Sequence, residues 1–300
     1  MALRESYMVK HLTDALGGKL VADPGQSLLI KDIYCLPSAL DDFLTIRVDK
    51  VLVGFYRVKG KSGNHQAYPN DRRPNPSLMG YLADKGLNPF IPVGEGQTLN
   101  LVRANDVGDV TLCYEIHDAG DITPAMPNGS ASPEYLFINY VSNLSAIAAD
   151  GESLLDKSLC PAEFPEFPIE KDVPAKTSIE ILGIVGSPVG FSGGTGTNTG
   201  ETQFLKFVKG RDTLHDEDRA GLMFEGEDLA ADGTEYTPVA SVIGALTVDE
   251  LEEPFWLPEP LVFEAGEELN VYATIKGFLG TGIPADTIDV AFVERIIKVG

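Results

Sequence analysis

Basic residues, cysteine, tryptophan and long apolar runs are all scarce in this sequence, and each scarcity closes off a class of function. Lysine and arginine number 23 against 45 acids, a net charge of −22. Phosphate backbones need a basic face, so nucleic acid is not expected as a direct ligand. The cysteines Cys35, Cys113 and Cys160 are odd in number and far apart. They form neither a disulfide framework nor a zinc-ligand spacing, and Cys35 and Cys113 fall in predicted strands, where free cysteine acts as a small apolar residue. No apolar run approaches the length of a membrane-spanning helix, and MALRESYMVKHLTD at the N-terminus lacks the apolar core of a signal peptide. Synthesis in the cytosol is therefore expected. A single tryptophan, Trp256, stands between Pro254 and Pro258. A carbohydrate-binding surface built from clustered exposed aromatics is thus disfavoured.

Recognisable chemistry is equally sparse. The histidines His11, His65, His117 and His215 fall one to a segment, without the pairings that hold a metal. Gly190-Phe191-Ser192-Gly193-Gly194 spells the nucleophile-elbow pattern, but a glycine-threonine loop follows where a helix is required. The same stretch lacks the Gly-Lys-Ser/Thr of a phosphate loop. Asp228, Asp232 and Glu235 do not have the spacing of a calcium-binding EF-hand loop. Calcium held between subunits is the one ion these acids suggest. Asn128-Gly129-Ser130 and Asn143-Leu144-Ser145 are sequons without a secretory route. The sequence predicts no catalytic, cofactor-binding or metal-binding residue and no enzyme.

What it has in quantity is glycine, 31, and proline, 20, set between β-branched runs in a chain that is 43% hydrophobic. That pattern predicts many short strands joined by turns. Leu3, Tyr7, Met8, Leu12, Ala15 and Leu16 recur at roughly helical spacing and predict a short amphipathic helix over residues 3–16, ended by Gly17-Gly18. It would serve as an N-terminal arm over 1–24, packed on its own domain or docked on a neighbour or a lipid surface. Leu28–Leu36 and Phe43–Val58 read as strands, Lys59–Pro76 as a long loop, Ser77–Asp84 as a short helix, and Tyr135–Val141 as a strand. PAEFPEFP, Pro161–Pro168, suits only an extended linker, and the boundary between two halves is expected at 161–176. Charge divides likewise: residues 1–122 hold 13 bases and 15 acids, leaving 10 and 30 for residues 123–300. Asp212–Glu253 carries 13 acids against Arg219 alone, which reads as an exposed loop.

The stretch Phe90–Ile116 comes back at Leu261–Ile296. Each copy has an acid-glycine turn (Glu95-Gly96; Gly266-Glu267) and an alternating strand (Leu99-Asn100-Leu101; Leu269-Asn270-Val271). A loop and a second alternating strand follow (Val110, Leu112, Tyr114; Ile288, Val290, Phe292). Other segments match in the same order. Ser27–Pro37 matches Ser178–Pro188 at a shift of 151, and Phe43–Val48 matches Gln203–Val208 at 160. Ser77–Leu82 matches Ser241–Leu246 at 164, Pro89-Phe90 matches Pro254-Phe255 at 165, and Gly96 matches Gly266 at 170. The shifts only grow, and each increase falls in a loop, as duplication followed by loop growth would produce.

Each copy therefore reads as an all-β unit with one long excursion before its closing strands, a Greek-key or jelly-roll pattern. In its repeat, its short helix candidates SLMGYL and SVIGAL, its N-terminal arm and its enlarged second-half loop, the chain resembles the double jelly-roll major capsid proteins. These build the shells of tailless, membrane-containing bacteriophages, related archaeal viruses and adenovirus. The resemblance runs from about Gly25 to Val299. It implies two tandem eight-stranded jelly-roll sandwiches with short helices and long loops, over 25–160 and 177–300. It also implies a homotrimer whose six barrels form a pseudo-hexagonal tile of the virion, beside neighbouring capsomers and other capsid proteins. The arm would face an internal lipid membrane, the acidic loop would form an outward tower, and Phe255, Trp256 and Leu257 would serve trimer contacts or the core. A non-catalytic two-sandwich binding module for carbohydrate or a receptor is the competing expectation.

Overall fold

A computed structural model describes residues 3–12, 18–35, 42–58, 78–103, 110–122, 134–143, 145–148, 151–156, 173–187, 202–215, 222–225, 228–229, 236–237, 246–247, 250–251, 255–276 and 289–298. It is an all-β sandwich protein with one short helix among those residues. By contacts the chain divides into two units, Met1–Ile138 with Thr247–Leu251 and Ile296–Gly300, and Asn139–Leu246 with Glu252–Arg295.

The first half contains β1 (Leu3–Leu12), β2 (Lys19–Val21), β3 (Gln26–Cys35), β4 (Asp42–Val48), β5 (Val51–Val58), α1 (Leu78–Asp84), β6 (Ile91–Val93), β7 (Thr98–Arg103) and β8 (Val110–Asp118). These strands form two four-stranded sheets, ordered β1-β8-β3-β6 and β2-β7-β4-β5, and the pairs whose register is given are antiparallel. Alternation along each strand sends one set of side chains inward. Leu28, Ile30, Ile91, Val93, Leu112 and Tyr114 from one sheet meet Leu20, Leu44, Ile46, Val48, Leu99 and Leu101 from the other in a single buried cluster. Burying each such side chain is worth roughly 1.5–3 kcal/mol. Met79 of α1 joins this cluster, so the expected short helix forms and contributes to the core. The run Phe43–Val58 resolves into a hairpin, its strands turning at Asp49-Lys50.

The second half begins with β9 (Glu134–Asn143), β10 (Glu152–Asp156), β11 (Thr177–Ser187), β12 (Thr202–Lys209), β13 (Asp212–His215) and β14 (Leu222–Glu225). Two-residue strands follow, β15 (Asp228–Leu229) paired with β16 (Tyr236–Thr237) and β17 (Leu246–Thr247) paired with β18 (Glu250–Leu251). It closes with β19 (Phe255–Phe263), β20 (Leu269–Lys276) and β21 (Asp289–Lys298). The larger strands run in the order β13-β12-β20-β10-β9-β21-β11-β19, with β14 also on β12. This run is two four-stranded arrays, β13-β12-β20-β10 and β9-β21-β11-β19, joined where β10 also pairs with β9. Glu152–Leu154 pair with Tyr272–Thr274 of β20, whereas Leu155 and Asp156 pair with Asn143 and Ser142 of β9. Ile179, Ile181, Ile184, Phe207, Phe263, Val271 and Phe292 are buried here. Phe207 and Phe292 meet edge to face with centroids 6.1 Å apart.

Setting β9 to β13 against β1 to β5, and β19 to β21 against β6 to β8, gives the same strand order in both halves. The turns repeat down to single hydrogen bonds. Ala22 N donates to Gln97 O and Gly96 N to Ala22 O, both at 3.0 Å; Val173 N donates to Glu267 O at 2.7 Å and Gly266 N to Val173 O at 2.9 Å. Gly94 N donates to Gln97 Oε1, and Glu264 N to Glu267 Oε2, both at 2.8 Å. The left-handed positions recur too, at Gly25 and Lys176, Asp49 and Gly210, Gly96 and Gly266.

The ladders revise two of the sequence matches. Leu28 lies opposite Val93 and Ile179 opposite Phe263, giving shifts of 151 for β3/β11, as expected, and 170 for β6/β19. Pro89-Phe90 is therefore not the counterpart of Pro254-Phe255. Ile46 lies opposite Leu101 and Phe207 opposite Val271, so β4 matches β12 at 161 and not 160. One residue of slip would have exchanged the inward and outward faces.

Two larger expectations also change. Residues 3–12 are a strand, not a helix. Register shifts between Leu3 and Glu5 and between Glu5 and Met8 disturb the two-residue alternation, which leaves the apolar residues at helix-like spacing. The expected second half at 177–300 omits its own opening strands, because β9 and β10 pair with β21 and β20. The division by contacts falls at Ile138/Asn139. PAEFPEFP and SVIGA lie outside the described residues, as does most of SGGTGTNTGET.

Candidate functional site

The densest polar grouping in the first half lies on the outward face of β1, β8 and β3. Because Tyr114 points into the core, Cys113, Glu115 and His117 of β8 point away from it. Cys113 and His117 are nonetheless buried. Tyr7 Oη on β1 donates to Cys113 Sγ at 3.4 Å. On β3, Tyr34 Oη donates to Asp32 Oδ2 at 2.8 Å, while Ile33 N donates to Asp32 Oδ1 at 3.1 Å. Burial, then the Asp32 hydrogen bond, pushes the Tyr34 phenol above its ordinary range. The Cys113 hydrogen bond does the same for Tyr7. Both rings remain neutral hydrogen-bond donors near neutral pH.

Next along β8, His117 Nε2 lies 3.0 Å from Glu115 Oε2, and Lys31 Nζ lies 3.8 Å from Glu115 Oε1. The Lys31 ammonium also sits 3.6 Å from the centroid of Phe90. Ser27 faces His117 directly across the β3/β8 ladder. Serine, histidine and glutamate are the residue types of a nucleophilic relay. Here the relay is not made: Ser27 Oγ and His117 Nδ1 have no hydrogen-bond partner, and Ser27 is wholly buried. The contacts that are made link β1 to β8 through Tyr7 and Cys113, and β3 to β8 through Lys31 and Glu115.

The second half carries ion pairs of its own. Arg295 Nε of β21 donates to Glu180 Oε2 of β11 at 2.8 Å. On the β12/β20 sheet, Lys206 Nζ pairs with Glu152 Oε2 at 3.0 Å beside the Tyr272 ring. Lys209 Nζ holds Glu267 Oε2 at 2.8 Å and the Val262 carbonyl at 3.0 Å. The Lys209 bond, followed by the Glu264 amide, draws the Glu267 carboxyl below its ordinary range. Asn139 Nδ2 lies 3.4 Å from Glu294 Oε1 inside this half.

The residues weighed on sequence do not converge. His11 is exposed on β1 beside Thr111, whereas His117 is buried on β8. Cys113 is a buried free thiol, Cys35 ends β3, and His215 ends β13. Cys160, His65, the Gly190–Gly194 stretch, Asn128, Asp232 and Glu235 lie outside the described residues, while Asp228 begins β15. Among the described residues no group of three or more His, Cys, Asp or Glu could hold a metal ion. Trp256 and Leu257 are half-buried on β19. Sequence reasoning missed the Tyr7–Cys113 and Lys31–Glu115 contacts, since both depend on the three-strand order β1-β8-β3.

No protein-family model matches the chain, and no curated protein matches it. A solved structure it is similar to is the CUB1-EGF-CUB2 domain of human MASP-1/3, at 8% identity and a TM-score of 0.19, over 98% of this chain and 93% of that one. A likeness so loose carries no argument about fold or function.

Proposed function

We propose that this protein is a major capsid protein of the double jelly-roll type, a structural subunit without catalysis, whose place is the virion shell. One observation carries the reading: the strand orders 1-8-3-6 and 2-7-4-5 of the first half recur in the second, where they are joined into one run through β10. Those orders support a jelly-roll reading, an eight-stranded double-sheet fold used by viral coats and lectins among others. Two copies per chain give three chains six sandwiches, the number that tiles a hexagonal lattice. The halves differ where a coat protein varies, in loop length and charge, with the acids concentrated between Asp212 and Glu253. Residues 3–12 form the first strand of the first sandwich, which does not favour a membrane-facing arm there.

The test is the oligomeric state of the purified protein by light scattering, followed by electron microscopy. The expected result is a particle of three times 32.2 kDa, or larger closed or sheet-like assemblies. A stable monomer that binds a glycan array would replace this reading with the two-sandwich binding module.

A further inference from the structure

We draw no further inference here: the strongest candidate, the exposed side chains of Tyr7 and Val9 on the outer face of edge strand β1, carries nothing because nothing in the structure shows what covers them.

Discussion

Gly25 and Lys176 occupy the same turn in the two halves, with φ of 79° and 60°. An L-residue in the left-handed region costs roughly 1–2 kcal/mol, and glycine offsets about half of that through its larger unfolded-state entropy. Lys176→Gly is therefore expected to stabilise the protein by about 0.5–1 kcal/mol, read as a higher urea midpoint at unchanged slope. Asp49 is a different case. Its φ is 55°, but its Oδ1 accepts the Thr98 amide at 2.9 Å, so Asp49→Gly exchanges relieved strain for a lost bond and should be nearly neutral.

Gln97 and Glu267 form a second natural comparison, since both accept the amide three residues back. Only Glu267 also pairs with Lys209. Because its folded-state pKa is depressed, its contribution is present above the ordinary carboxylate value of about 4.3 and is lost as pH falls through the range below it. Glu267→Gln keeps the turn and removes the charge. The variant should be less stable than the parent at pH 7, and the gap should close below about pH 4. Urea midpoints between pH 3 and 7 check this; a gap independent of pH would remove the ion pair as its cause.

Among the elements, β4 and β12 show what the sequence conveys and where it misleads. Both are legible as strands from their alternation, but their match was placed one residue off. At a shift of 160, Ile46 would correspond to Lys206, which is half-buried beside Glu152; at 161 it corresponds to Phe207, and both are fully buried. Ile46→Ala and Phe207→Ala should each cost about 2–5 kcal/mol, whereas Thr45→Ala and Lys206→Ala should cost under about 1 kcal/mol. Thermal unfolding of the four variants distinguishes the registers. Strand β1 was illegible for a physical reason: most of its side chains face solvent and its register shifts twice, so neither burial nor alternation marks it. Those same shifts, with Lys10 exposed, blunt an edge that would otherwise invite pairing with another chain. Strand β2 has three residues, too few for any period. Strand β9 is legible as a strand but its half is not, because its partner β21 lies more than a hundred residues away and leaves no local trace.

For the molecule as a whole, the recurrence of strand order is readable because the matching segments keep one order along the chain. No single match would have sufficed. The contacts on the outward sheet faces were not readable, since residues on β1, β8 and β3 become neighbours only through the strand order. The acidic excursion gives a test of the proposed assembly. Deleting residues 226–240 removes β15 and β16 and four acids while leaving β14 on β12. The variant is expected to keep the parent's oligomeric state in light scattering; dissociation would show that the excursion lies within an intersubunit contact.

Strand β10 has a consequence for how the second sandwich opens. Its five residues hydrogen-bond into both arrays, so neither array can separate without breaking bonds that also secure the other. In the first sandwich, β1 and β2 belong to separate sheets. Native-state hydrogen exchange should accordingly find the amides of β9, β20 and β21 opening as one cooperative unit. The β1/β8 and β2/β7 ladders should open with distinct free energies. Different opening free energies for the β20 amides and for those of β9 and β21 would mean that the shared strand does not couple the two arrays.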